Sequence, residues 1–317
     1  MAVEIQKIDS LPFRQWMIEE NPFPELFIDL TFRCNMNCLM CYSDSGGSAA
    51  TLPPDLEISQ FTELCKRLPR PTILAMVGGE PTLHKDFFSF IATAHQYGHQ
   101  AFVTTNGIRF AKDSHFVAEF AKVAHRGNSR VHLDISGGLN PDLCQSIHGQ
   151  DTSEMKVRAL EHLQEFRVGK VLLACVLIRG LNESAVADVF ALADTYKRIV
   201  RIVKFRAQGH NGRFVDESSP YRTSEIIDLL KPYVSPAQFL RAVKLSGHLE
   251  GRSYSPDPRC KGKSCCFHFQ PHSRLEVNIL ECFTGQGICW RKGRLNSDFK
   301  IEPVFESYEL AVDRSGV

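Results

Sequence analysis

The sequence predicts an α/β fold on a mostly parallel sheet, and three observations carry the prediction. Six short apolar runs alternate with six stretches of helical period. The runs are continuous rather than alternating, as expected of parallel strands covered on both faces. The helical stretches open on cap-like residues, among them Asn182, Ser184 and Thr223. This alternation belongs to a barrel or to an open doubly wound sheet, and periodicity does not choose between them.

The elements follow in order. LFIDL (Leu26–Leu30) is the first strand, with a helix predicted over Asp55–Arg67. TILAMV (Thr72–Val77) leads to a helix over Lys85–Tyr97, and QAFVTT to one over Phe110–Val123. RVHLDIS leads to Ser153–Phe166, VLLACVLI (Val171–Ile178) to Ser184–Tyr196, and IVRIVKFRAQ to a helical region after Thr223. Beyond about residue 250 the pattern changes. HLEGRSYSPDPRCKGKSCC is rich in glycine, proline and serine and has no period. Next comes a predicted hairpin: CFHF, a turn around Gln270–Ser273, then RLEVNILEC, where Leu275, Val277 and Ile279 alternate with polar residues. The chain therefore divides into an N-terminal segment (1–23), an α/β body (24–250) and a small cysteine-rich α+β appendage (251–317), the last too short for much core without a staple.

Composition narrows the function. The 317 residues are 43% hydrophobic, enough for one large core, and the net charge of +1 offers no electrostatic case for nucleic acid or a membrane surface. MAVEIQKIDS lacks the basic end and apolar run of a signal peptide, and the run VLLACVLI is far too short to span a bilayer. A cytoplasmic protein is expected. There, eleven cysteines point to metal or redox chemistry rather than to disulfides. Three lie at Cys34, Cys38 and Cys41, and five at Cys260, Cys265, Cys266, Cys282 and Cys289. Cys65 and Cys175 fall in helical and strand patterns as core residues, and Cys144 has no assignment.

Active groups of α/β folds collect at the carboxyl ends of strands. The first strand ends at the cysteine loop TFRCNMNCLMCYSDSGG, and the second runs into GGEPTLHKDF, where Gly78 and Gly79 permit close approach to the backbone and Glu80 adds a carboxylate. The third ends in TTNG and the fourth in DISGG, adding Asn106, Asp134 and Ser136. Asn106 also reads as a turn former, Asp134 and Ser136 as caps or rim residues, and the three cysteines as part of a zinc site with a distant fourth ligand.

Cys34, Cys38 and Cys41 form a CxxxCxxC motif, followed one strand later by GGEP and then by DISGGLNPDLCQSIHG. In these features the sequence resembles the radical S-adenosylmethionine (radical SAM) superfamily, over roughly Leu26 to Gln208, in particular members with a C-terminal cluster domain. Met40 stands where an aromatic residue is common, with Tyr42 just after the third cysteine.

The resemblance implies a partial (βα)6 TIM-like barrel and two cofactors, a 4Fe–4S cluster and S-adenosylmethionine. Three thiolates leave one of four irons open. In the family that iron binds the SAM amino and carboxylate groups and delivers the electron that breaks the carbon–sulfur bond, and the resulting 5′-deoxyadenosyl radical takes a hydrogen atom from substrate. The resemblance assigns Gly78, Gly79 and Glu80 to the SAM amino group, and Asn106, Asp134 and Ser136 to the ribose and its neighbours. It assigns Arg179, which by itself reads rather as a solvated surface group, to the carboxylate and Tyr42 to the cofactor site. It also implies an electron donor such as flavodoxin or ferredoxin. The C-terminal cysteines resemble a twitch domain, with Cys260, Cys266, Cys282 and Cys289 around a second 4Fe–4S cluster; a zinc knot is the alternative. Arg259, Lys261, Lys263, Arg291 and Lys292 would offset the charge of such a cluster or bind an anionic substrate. Adjacent side chains on a strand face opposite ways, which leaves Cys265 spare: an idle thiol, or the donor that returns a hydrogen atom in an epimerisation. The 33 residues before Cys34 leave little room for a leader-binding segment. The expected substrate is thus a small natural-product or sugar-like molecule, oxidised or epimerised, with peptide modification as the alternative. A non-catalytic zinc or iron–sulfur module is the reading from another class.

Overall fold

The computed structural model describes residues 15–41, 43, 45, 52–127, 129–207, 221–240, 266–272, 274–280 and 292–303. Six strands, β1 (Glu25–Thr31), β2 (Ile73–Gly78), β3 (Gln100–Thr105), β4 (Arg130–Asp134), β5 (Val171–Leu177) and β6 (Val200–Ala207), lie side by side in parallel. The helices are α1 (Ile58–Arg67), α2 (Phe87–Gln96), α3 (Ile108–Lys112), α4 (Ser114–Gly127), α5 (Pro141–His148), α6 (Ser153–Glu165), α7 (Ala185–Thr195) and α8 (Thr223–Leu230).

The apolar runs became strands for the expected reason, but only one face is fully covered. Leu26, Ile28 and Leu30 of β1, Leu74 and Met76 of β2, and Val203 and Phe205 of β6 join the helices in the main core. The other face is concave. Beneath β1–β3 it carries a second, smaller apolar cluster of Ala75, Val77 and Phe102, with Phe27 and Ile73 against it. Along β5 and β6, Ala174, Val176, Lys204 and Arg206 on this face are only half-buried. The sheet curls around it.

Four more strands follow from the C-terminal region: β7 (Cys266–His272), β8 (Leu275–Leu280), β9 (Lys292–Leu295) and β10 (Ile301–Pro303). The hairpin forms, with Cys266 opposite Leu280 and Phe269 opposite Val277, and β7 runs on through residues expected to be its turn. It joins the barrel sheet, β8 lying parallel to β6, while β9 lies parallel to β1 at the other edge. The order is β10-β9-β1-β2-β3-β4-β5-β6-β8-β7. The architecture is a partial (βα)6 TIM-like barrel whose sheet is extended at both edges by antiparallel C-terminal pairs.

Local expectations need three corrections. The predicted helix Phe110–Val123 is two helices, because Asp113 is extended and its carboxylate accepts the Phe116 amide at 2.9 Å, starting α4 afresh. Asn182 is not a helix cap. Its side chain accepts the Ile178 amide and donates to the Ser136 and Val176 carbonyls, tying β4 to β5. The eight-residue α5 inside the DISGG segment was not anticipated; Asn140 caps it and Gly149 ends it in the left-handed region at φ 75°.

Candidate functional site

The three cysteines sit just past the carboxyl end of β1, in a loop fastened from three directions. Gly79 N–H donates to Thr31 O at 2.7 Å and Glu80 N–H to Arg33 O at 2.8 Å, so the end of β2 clamps the start of the loop. The Asn106 side chain, from the end of β3, donates to Asn35 Oδ1 at 2.7 Å. The end of α5 supplies the third hold. Asn37 N–H and Leu39 N–H donate to the carbonyls of His148 and Ile147, and the Gln150 side chain donates to Asn35 O.

This clamp explains the glycines differently from the sequence. A Cβ at Gly78 would overlap the Thr31 carbonyl oxygen, and one at Gly79 the Arg33 carbonyl. What comes close to the backbone at GGEP is the cysteine loop itself. Gly78 also sits at φ 118°, where side chains are strained.

Glu80 is 1% exposed. Its Oε1 accepts from the Thr82 amide, the Thr82 hydroxyl and the Thr105 hydroxyl, and Oε2 from the Asn106 amide at 2.8 Å. Among the described residues, that is the one hydrogen bond Oε2 accepts, of the two its lone pairs allow. Burial pushes its carboxyl up, against these hydrogen bonds. Asp134 shifts the other way. Burial alone would raise it, but Lys156, His148 and Ser136 hold it well below the usual carboxylate range. Lys156, wholly buried, donates to Asn106 O at 2.8 Å and to Asp134 Oδ2 at 3.3 Å, and His148 Nε2 lies 2.9 Å from the same oxygen. The Ser136 hydroxyl donates to Asp134 at 2.6 Å and accepts the Val176 amide.

The structure thus brings Cys34, Cys38, Cys41, Gly78, Gly79, Glu80, Asn106, Asp134 and Ser136 to one rim. Arg179, just beyond β5, is engaged with Glu225 at 2.8 Å and stacks over Tyr221. Tyr42, Cys260, Cys265, Cys282 and Cys289 lie outside the described residues, and of Cys266 only its backbone place at the start of β7 is described. Cys65 and Cys175 are core residues as expected, and Cys144 is buried with its thiol donating to the Gly137 and Gly138 carbonyls. Sequence reasoning missed Lys156, which on an amphipathic helix reads as solvated, and the α5 terminus, whose signal was the glycine ending a helix at Gly149.

The loop suits an iron–sulfur cluster. Burial pushes the Cys34 thiol up to about 11, with Glu80 and Cys41 adding to the shift. Burial also raises Cys38, reinforced by Asp134 and the other two cysteines and opposed by Lys156. As thiolates, these groups call for a bound cation. Among the described residues, no three histidine, cysteine, aspartate or glutamate side chains gather to hold a single metal ion. A zinc site gathers its ligands at about 2.0–2.3 Å from one ion, whereas a 4Fe–4S cluster gives each thiolate its own iron. Among the described residues, no helix is long and apolar enough to cross a membrane.

A family model described as the radical SAM superfamily matches residues 28–193, just over half of the chain. The 7,8-dihydro-6-hydroxymethylpterin dimethyltransferase of Methanocaldococcus jannaschii is 26% identical over 236 residues, covering 73% of this chain and 44% of that protein. The mycofactocin maturase MftC of Mycolicibacterium smegmatis is 30% identical over 196 residues, covering 61% of this chain and 47% of that protein. The chain spans about half the length of these curated relatives. The solved structure of Streptococcus suis SuiB bound to S-adenosylmethionine superposes with a TM-score of 0.60 at 11% identity, over 90% of this chain and 61% of that one, a likeness of fold.

Proposed function

The chain belongs to the radical SAM superfamily, and on that premise we propose that it carries a 4Fe–4S cluster on Cys34, Cys38 and Cys41 and binds S-adenosylmethionine at the adjoining rim. With these it removes a hydrogen atom from a small molecule held on the concave face of the barrel. One observation carries this reading: the cysteine loop is hydrogen-bonded directly to Gly79, Glu80 and Asn106, so the cluster site and the rim are one rigid unit.

When bound, the cluster and S-adenosylmethionine supply reductive carbon–sulfur cleavage and hydrogen-atom abstraction. The chain's own residues do the rest. Glu80 accepts from the SAM amino group with its remaining Oε2 lone pair. Asp134, kept ionised by Lys156 and His148, accepts from a ribose hydroxyl, and Asn106 and Ser136 fix the turns that aim both carboxylates. Arg179 reaches the SAM carboxylate only by leaving Glu225, and Tyr42 completes the cofactor site. Cys260, Cys266, Cys282 and Cys289 hold a second cluster, a flavodoxin or ferredoxin supplies electrons, and Cys265 decides between epimerisation and oxidation by returning a hydrogen atom or not. The pterin enzyme among the relatives favours a small-molecule substrate; the 30% identity to a maturase favours maturation as the second reading.

The test is anaerobic reconstitution followed by dithionite and S-adenosylmethionine. The wild type should release 5′-deoxyadenosine, and the variant with Cys34, Cys38 and Cys41 all changed to Ala should release none. Release by that variant would sink the assignment, and no release by either would leave a non-catalytic module.

A further inference from the structure

We propose that Asp134, with Lys156 as its counterweight, sets the reduction potential of the cluster on the cysteine loop. This rests on the function proposed above for the presence of that cluster, and it gives the buried charges of the rim a task besides holding a ligand.

The two side chains belong to a closed circuit of polar contacts that starts and ends on the cysteine loop. The Asn35 side chain, next to Cys34, accepts from Asn106 at 2.7 Å. The Asn106 carbonyl accepts from Lys156 at 2.8 Å, and Lys156 donates to Asp134 Oδ2 at 3.3 Å. His148 Nε2 lies 2.9 Å from the same oxygen, a close contact not aligned as a hydrogen bond. The His148 carbonyl then accepts the Asn37 N–H at 3.1 Å, which returns the circuit to the residue before Cys38. One residue thus grips the loop with its main chain and stands against the carboxylate with its ring. Lys156 and His148 are wholly buried, and the ring is fixed from its other side by Thr152 Oγ1 at 2.9 Å. The carboxylate therefore has a set place relative to the loop.

The charges on this circuit bear unequally on the thiols. Asp134 disfavours the Cys38 thiolate and Lys156 favours it. Glu80 acts on Cys34 in the same sense as Asp134 on Cys38, but burial pushes its own carboxyl up. Asp134 is held well below the usual carboxylate range and keeps its charge. Hydrogen bonding follows the same asymmetry. The amides of Asn35 and Met36 support the Cys34 thiolate, while those of Asn37 and Leu39, on either side of Cys38, are committed to carbonyls at the end of α5. Cys38 stands on the negative side of the loop.

The potential of an iron–sulfur cluster follows nearby charge and the hydrogen bonds to its sulfurs. Reduction adds one negative charge, which a fixed, largely buried anion opposes with little screening from salt. Asp134 therefore lowers the potential and Lys156 raises it. A lower potential makes the reduced cluster the stronger reductant, which suits cleavage of a sulfonium.

The test is a potentiometric titration of reconstituted protein without S-adenosylmethionine, followed by electron paramagnetic resonance. The rim signal is the one missing from the variant with Cys34, Cys38 and Cys41 changed to Ala. Asp134→Asn should make reduction about tenfold more favourable, a rise of about 59 mV for a one-electron couple. Lys156→Met should shift the midpoint the other way, and the double variant should return close to wild type. If Lys156→Met alone does not fold, the same fall is read between Asp134→Asn and the double variant. A general loss of packing does not produce shifts of opposite sign that cancel. Equal midpoints in wild type and Asp134→Asn, or shifts of one sign in both single variants, would overturn the proposal and leave the function standing, because the rim signal would still be present. Loss of that signal in Asp134→Asn would overturn it as well, by making the carboxylate a structural post. A wild type without a rim signal would overturn the proposal and the function together.

Discussion

The rim and the concave face are neighbours in one barrel, yet they treat polar groups in opposite ways. At the rim, Glu80 accepts four hydrogen bonds, Asp134 is held by a lysine, a histidine and a serine, and the cysteine loop is tied to three separate elements. On the concave face at β5 and β6, small and charged side chains stand half-exposed. The contrast teaches a division of labour. Groups already fixed in place suit a ligand whose geometry must not vary, and a face with half-exposed side chains suits one whose shape can vary.

The strongest way to break this comparison is to remove the thiols. Replacing Cys34, Cys38 and Cys41 with Ala should remove the rim cluster, and reconstituted protein should fall from about eight irons per chain, four for each 4Fe–4S cluster, to about four. An unchanged iron count would move the cluster away from the rim. Four irons and one zinc in the wild type would instead make the C-terminal site structural.

Next comes Lys156→Met, which leaves Asp134 with a buried deficit of positive charge. A loss of roughly 3–5 kcal/mol in denaturant unfolding is expected, partly recovered by adding Asp134→Asn. A loss below about 1 kcal/mol would show that the rim is not held by this pair. The same pair predicts an acid limb. The Asp134 carboxyl is depressed in the fold, so its contribution is present above the unfolded value of about 3.9 and lost as pH falls through and below it. Wild type should therefore lose more stability than Asp134→Asn between about pH 5 and pH 2, and parallel curves would contradict the assigned charge state.

Gly79→Ala sharpens the comparison by perturbing packing alone. Overlap with the Arg33 carbonyl should cost about 1–3 kcal/mol and lower iron loading in step with it. The smallest effect belongs to the concave face: Lys204→Met should change unfolding free energy by no more than about 0.5 kcal/mol, because Lys204 is only half-buried.

Much of this was legible in the sequence. The apolar runs located all six barrel strands, and cysteine spacing followed by GGEP located the rim, because both signals are local. What escaped was long-range. Alternation in RLEVNILEC identifies a strand but not that it pairs with β6, some seventy residues earlier in the chain. The helix period of SEMKVRALEHLQE places Lys156 on a face, but only the fold shows that this face looks between the ends of β3 and β4. Continuous apolar runs implied cover on both faces, and IVRIVKFRAQ held the contrary hint in Lys204 and Arg206, two residues apart and so on one side of the strand.

The most direct test of the central claim, that a three-thiolate loop leaves one iron open beside a preformed rim, is the electron paramagnetic resonance spectrum of the dithionite-reduced protein before and after adding S-adenosylmethionine. To isolate the rim cluster, the spectrum is read on a variant with Cys260, Cys266, Cys282 and Cys289 changed to Ala. A reduced-cluster signal whose g-values shift on addition is the result expected. A signal that S-adenosylmethionine leaves unchanged would mean that the rim cluster has no open iron, and would contradict the account.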